Sequence, residues 1–533
     1  MAGNDCRAGF FIPSTKSIQH TNVYLSTKMI DNQNTENYNK ENELLIYLLT
    51  NYNLLIERSF QMTVNPRLPE KNTALTPLRK LGYEAGITTE SIVYNCFYIY
   101  FVIFLTNVVG LNPVMAGTVS LISVCVDAIT DPILGWIVDH PKVNPKKFML
   151  VGGLLTGILL TCTFVVVDGS QGFKFAYYVI VSSLMWCSYT SFCIPYYSCC
   201  AQMTDDYDEQ TKIRGVSSTM NGFVIYGGCV FPILFIGLFG GMGVSDTLCW
   251  TMAAGCIGVI SIIFGLINYF SIKNVKFIEK AIDQEPENIL KTYKDILKLK
   301  PMKFFIPWVF FYLFGSAMVS ANTNYLLIYS AGVDPEALAG TAVMTLLAFF
   351  ILSPVFTMIA TKWDRKAAVL VAFGITMVGV VICRIIGVDS LFMVYVLTAL
   401  NGFALAGFWC LFYDFSYDLI ELDEYKNRKS RAGCITSFPQ LIQKFGNAVG
   451  LQVIGIVLAM VGYDASKEVQ SASAVSGIQN ISTIFLAICL AISIVCIIAY
   501  PVNKKVYARL QAANERRRAG EIDFVDPEID KIL

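Results

Sequence analysis

Asp127-Ala-Ile-Thr-Asp-Pro-Ile-Leu-Gly-Trp-Ile-Val-Asp139 sets carboxylates into a segment that is otherwise almost wholly apolar. It ends an apolar run from roughly Met115 to Val138. At about 1.5 Å per residue that run is long enough to cross a bilayer core about 30 Å thick. Asp127 and Asp131 stand four residues apart, about 40° apart around a helix, and so share one face. A carboxylate near mid-bilayer costs on the order of 2.5–3.5 kcal/mol even on the mild insertion scale. A helix tolerates that cost where the face looks inward, on to a cation, a partner charge or water. The stretch therefore predicts a multi-helix membrane protein with a site for a coupling cation.

Composition agrees. The chain has 533 residues, 55% of them hydrophobic and 15% charged, with a mean hydropathy of +0.54; a soluble domain carries about 25% charged residues. Lys+Arg and Asp+Glu balance at 40 each, which removes the case for nucleic-acid binding. The 16 cysteines are scattered, with Cys199-Cys200 the one adjacent pair, and read as small hydrophobes rather than metal ligands. The 2 histidines, His20 and His140, argue against a zinc hydrolase or a histidine proton relay. No G-x-x-x-x-G-K-[ST] loop and no nucleophile–base constellation is present, so neither ATP hydrolysis nor enzyme activity is expected. No cofactor is expected beyond the coupling ion.

Residues 1–76 read as a polar, low-complexity cytoplasmic extension expected to be disordered, with at best an amphipathic surface helix at Leu44–Leu55. No signal-peptide pattern precedes it. A translation start at Met62 is an alternative to a functional extension. Twelve apolar spans follow, at 83–109, 115–138, 147–168, 176–201, 215–239, 249–271, 303–331, 338–361, 366–387, 391–413, 434–462 and 478–501. They divide into a six-helix bundle at 77–271, a charged central loop at 272–302, a second six-helix bundle at 303–501 and a tail at 502–533. Loops after even-numbered spans carry the cations, including Lys142, Lys146, Lys147, Lys212, Arg214, Lys362, Arg365, Lys366, Lys426 and Arg428, whereas loops after odd-numbered spans are nearly bare. The positive-inside rule then places both termini and the central loop in the cytoplasm of a multi-pass plasma-membrane protein. Gly135-Trp-Ile-Val-Asp139 with Lys142, and Lys362-Trp-Asp364-Arg365-Lys366, form a faint repeat one half-chain apart. Parallel six-helix halves around a midplane cavity are the architecture of major facilitator transporters.

Three motifs carry a resemblance to a known family. The Asp127–Asp139 stretch resembles the helix II signature of the glycoside–pentoside–hexuronide:cation symporters, the melibiose permease family. Ile194-Pro195-Tyr196-Tyr197, continuing through Met203-Thr204-Asp205-Asp206 to Arg214, resembles that family's helix IV–V connection. Asp418-Leu-Ile-Glu421-Leu-Asp-Glu424-Tyr425-Lys426, with Arg431-Ala-Gly433 and Gln443-Lys444-Phe-Gly446, resembles its helix X–XI loop and helix XI lysine. The three lie in order and at family spacing over roughly residues 78 to 520. The resemblance implies that Asp127 and Asp131 are helix II cation ligands and that Thr190 on helix IV supplies a hydroxyl ligand. Thr130 stands where melibiose permeases have an asparagine. Cys193 replaces a helix IV aspartate, Ser91 a helix I aspartate and Ser218 a helix V arginine, while Lys444 is kept. A galactoside held in the melibiose permease manner is therefore not expected. The coupling ion stays open between Na⁺, on hard oxygen ligands at Asp127 and Asp131, and H⁺.

Each signal has a bland alternative. The two aspartates could be structural, neutralised by Lys444, and Lys444, about 15 Å deep in its span, could pair with Asp127, Asp131 or Glu90 rather than bind solute. Glu90 could snorkel. Tyr197 and Asn221, with Asn322, Asn324 and Asn401, could line a sugar cavity or hydrogen-bond between helices. Asp139, Asp418, Glu421, Glu424 and Arg431 could be gating ion pairs or a solvated loop. The expectation is a monomeric all-α protein of twelve transmembrane helices that symports a sugar or glycoside with Na⁺ or H⁺ by alternating access, with membrane lipid around it. The alternatives are an amphipathic or lipid-like solute on the same fold, or a non-transporting sensor.

Overall fold

The computed structural model describes residues 75–140, 142–278, 288–333, 338–464, 467, 469–521 and 523–532. The extension expected at 1–76, with its surface helix near 44–55, lies outside the described residues but for its last two positions.

The described chain is helical throughout, without a strand. The first half contains α1 (Pro77–Val108), α2 (Pro113–Val138), α3 (Pro145–Thr163), α4 (Gln171–Met203), α5 (Tyr207–Gly241) and α6 (Asp246–Ile272). A connector helix, α7 (Ile289–Leu297), precedes α8 (Met302–Ser330), α9 (Leu338–Lys362), α10 (Arg365–Ile386), α11 (Leu391–Leu411), α12 (Asp414–Asn427), α13 (Ala432–Met460) and α14 (Ala472–Ala499). The tail forms α15 (Lys504–Arg518) and α16 (Pro527–Ile532). Among the described residues 12 helices are long and apolar enough to cross a membrane, counting α11 and α12 as one span at Leu391–Asn427.

The ends are set by local chemistry. Asn112 and Asn144 accept from backbone N–H groups of the turns that follow, each with proline at the first helical position. Asp206 accepts from Glu209 N–H and starts α5, with Asp208 and Glu209 in its first turn. These signals correct two boundaries. The fifth span begins at Tyr207 rather than 215, so Arg214 lies two turns inside a helix and is buried, not in a loop. The tenth continues past Tyr413 as α12, so Asp418, Glu421 and Glu424 are buried helical residues and the solvated-loop alternative fails. Arg365, also counted as a loop cation, is 1% exposed. The remaining basic loops still share one end of the bundle, here called the basic end.

At that end the halves touch through bare backbone. A Cβ added to Gly433 of α13 would lie 2.6 Å from the Gly135 carbonyl of α2, and one added to Gly135 would lie 2.8 Å from the Gly433 carbonyl. Only glycine fits such a crossing. The connector is more than a loop: Tyr293 of α7 donates to the Pro132 carbonyl at 2.7 Å and lies 2.9 Å from Ser437 Oγ, touching both halves.

Candidate functional site

The residues of the opening stretch meet Lys444 at mid-span. Asp127 and Asp131 both turn inward and are 0% exposed. Lys444 Nζ, from α13 of the opposite half, lies 2.6 Å from Asp127 Oδ2 and 2.6 Å from Asp131 Oδ2. Thr190 Oγ1 of α4 lies 2.9 Å from Asp127 Oδ1 and 3.1 Å from Asp131 Oδ1. Lys444 keeps 12% side-chain exposure, whereas the two carboxylates keep none. Two carboxylates against one ammonium leave a formal charge of −1, which a monovalent cation or a proton cancels. Pro132, one residue past Asp131 within α2, has no N–H to give the carbonyl four residues back. Thr130 is not part of this meeting: its hydroxyl turns back to the Asp127 carbonyl at 3.0 Å.

A second group surrounds Glu90 on α1. Tyr189 donates to Glu90 Oε1 at 3.1 Å, and Ser91 Oγ lies between Glu90 Oε2 and Asn221 Oδ1. Cys193 is buried on α4. Ser218 is 2.9 Å from Ser353 of the other half, so it serves as a bridge between α5 and α9. Asn322 donates to the Ile478 carbonyl at 2.7 Å and to Ser482 at 2.8 Å, the interhelical alternative.

Tyr197 stacks face to face on Tyr413 of α11's end, ring centroids 3.6 Å apart and planes at 13°. Arg214 lies beside the stacked pair, 5.1 Å from one ring centre and 5.3 Å from the other, and pairs with Glu84 at 3.4 Å. Neither Tyr413 nor Arg214 was singled out as a site residue from sequence. The signal for Arg214 was Asp206 with Asp208 and Glu209, which starts the helix early enough to bury it. Nothing in the sequence announces the Tyr197–Tyr413 stack.

Toward the basic end the gating candidates join a network. Asp139 accepts from Gly433 N–H at 2.6 Å and Cys434 N–H at 2.7 Å, capping α13 from the opposite half. Burial pushes its carboxyl up to about 7, against the two backbone N–H bonds that pull it down. Asp418 holds Arg365 Nη1 at 2.7 Å, and the same guanidinium donates to the Tyr207 carbonyl at 2.8 Å, Gln210 Oε1 at 3.1 Å and Thr211 Oγ1 at 2.9 Å of the first half. Glu424 and Glu421 meet Arg518 of the tail at 2.7 and 3.4 Å, and Arg518 also reaches Asp205 at 3.1 Å. Arg431 holds Asp423 at 2.8 Å within its own half.

The family model described as MFS/sugar transport protein matches residues 82–504. An uncharacterized symporter of Bacillus subtilis is 25% identical over 474 residues, covering 86% of this chain and 99% of its own. The isoprimeverose transporter of Lactiplantibacillus pentosus is 24% identical over 463 residues, covering 84% and 93%. A sodium-dependent lysophosphatidylcholine symporter of Danio rerio is 20% identical over 503 residues, covering 86% and 92%. The crystal structure of the E. coli fucose:proton symporter superposes with a TM-score of 0.59 at 13% identity, covering 81% of this chain and 100% of that one. The structural likeness shows the two-bundle fold of twelve helices.

Proposed function

Because this chain belongs to the MFS/sugar transport protein family, a family of transporters rather than enzymes, we propose that it is a secondary active transporter that symports a sugar or glycoside with Na⁺ or H⁺ by alternating access. The observation that carries the reading is the cluster of Asp127, Asp131 and Lys444, drawn from both halves and one positive charge short of neutral.

Asp127 and Asp131, with Thr190, form the cation site. A Na⁺ or proton arriving there competes with Lys444 for the same carboxylate oxygens, which loosens a tie between the halves. The solute chamber beside it is lined by Glu90, Ser91, Tyr197 and Asn221, with Lys444 remaining at the cation site. The loaded site is neutral and therefore cheaper to occlude than the half-loaded one. The contacts of Asp139, Arg365 and Arg518 close the basic end, which we assign to the cytoplasm of a monomer in the plasma membrane. Thr130, Cys193 and Ser218 take supporting rather than ligand positions.

A second reading, transport of an amphipathic lipid-like solute, draws on the likeness to the Danio rerio relative and on the serines and cysteine at positions where sugar permeases place charge. Uptake of a panel of glycosides, hexuronides and lysophospholipids into vesicles under imposed Na⁺ and H⁺ gradients separates the two. Gradient-driven accumulation of a sugar supports the first reading. Accumulation of lysolipid alone supports the second, and uptake of neither removes both.

A further inference from the structure

We propose that Glu90 and the tyrosines around it form a receptor for a positively charged ammonium group on the transported solute. The inference rests on the chamber being the solute site.

Of the buried acids near mid-span, Asp127 and Asp131 share Lys444, and Glu84 has Arg214. Glu90 has hydroxyl donors, Ser91 and Tyr189, and among the described residues no lysine or arginine pairs with it. Filling the Asp127/Asp131 site with one monovalent cation leaves this carboxylate without an ion-pair partner, since Arg214, whose charge also reaches it, is bonded to Glu84. Desolvating it on occlusion is costly unless a positive charge comes with the solute.

The walls fit the same chemistry. Tyr189 packs edge-on to Trp186 at 5.1 Å and lies 6.5 Å from Tyr94, which stands one turn above Glu90 on the same helix face. Tyr94 in turn packs against Trp186 at 6.1 Å. A carboxylate among aromatic rings offers an ammonium ion both a counter-charge and π faces. Glu90 and Tyr94 are partly exposed, so the group is open to a ligand. An amino sugar brings such an ammonium, and so does the choline head of a lysophospholipid.

The test is equilibrium binding to the purified full chain, with each solute compared with its counterpart lacking the ammonium. D-glucosamine is set against D-glucose, and lysophosphatidylcholine against lysophosphatidylglycerol. The ammonium member of one pair should bind about tenfold more tightly, and which pair responds identifies the source. Glu90→Gln should bring the two members of that pair within about threefold of each other, and Glu90→Asp, which keeps the charge, should retain most of the preference. Equal binding within both pairs, a preference that survives Glu90→Gln, or an equal loss in Glu90→Asp overturns the proposal. Gradient-driven uptake of a neutral sugar with no ammonium preference would remove this inference and leave the symport reading standing.

Discussion

Charged side chains tie the two halves together in two places, and the ties differ in kind. At the basic end Arg365 spends its whole fork: Nε, Nη1 and Nη2 all donate, to Thr211, Asp418, Tyr207 and Gln210, and the guanidinium lies 3.6 Å from the Tyr207 ring centre. At mid-span Lys444 offers a point charge set equally, at 2.6 Å, against two carboxylates. A planar guanidinium with its donors all directed is slow to replace, whereas a compact ammonium shares its place readily with a small cation. The first region is built as a lock and the second as an exchange point.

The comparison can be broken at either end. The largest effect is expected at the exchange point. Asp131→Asn or Asp127→Cys leaves one acid for Lys444 and a neutral site with no need of an ion. Ion-driven accumulation should then fall by at least about 100-fold while the protein still reaches the membrane, measured by uptake and surface labelling. Full ion coupling in both variants would remove the assignment. At the lock, Arg365→Lys strips donors from Tyr207, Gln210 and Thr211 and should weaken the closed arrangement by on the order of 2–4 kcal/mol. The measurement is thiol labelling of Cys434, which is buried beneath the Asp139 contact, from the basic side. Unchanged labelling would mean that the fork does not hold the basic end closed.

Smaller effects sharpen the picture. Gly433→Val drives a side chain into the Gly135 carbonyl. It should slow turnover about tenfold with little change in solute affinity, seen as a drop in kcat against a steady KM. The smallest effect concerns pH. Asp139's carboxyl is pushed up to about 7 when buried in the closed form and should return to about 4 when opened to water. Closing therefore takes up a proton between those values, so the closed form gains as pH falls from about 7 toward 4, by at most about 1.4 kcal/mol per unit, and is indifferent above 7. The distance between spin labels at positions 142 and 429 should shorten on acidification in the parent and stay flat in Asp139→Asn.

Much of the fold was legible because apolar length is a one-dimensional signal: a span reads as a span whatever lies beside it. The Asp127/Asp131 pair was legible for the same reason, since four residues on a helix fix a shared face. Arg214 and Arg365 were misread because a count of cations near helix ends treats each as solvated. What buries them is a cap at Asp206 in one case and partners more than a hundred residues away in the other. Lys444 could be given a depth but not a partner, and three acids competed for it until the helices were placed. The tail looked like an orientation signal. It is also a helix, whose Lys504 reaches Asp208 at 2.5 Å, in the other half of the molecule.

Where Gly135 meets Gly433, two ribbons of main chain lie against each other with no hydrocarbon between them. Parting at that point separates peptide groups, which water can hydrate as the breach forms. The mouth of such a machine opens here along peptide edges rather than along a glued seam.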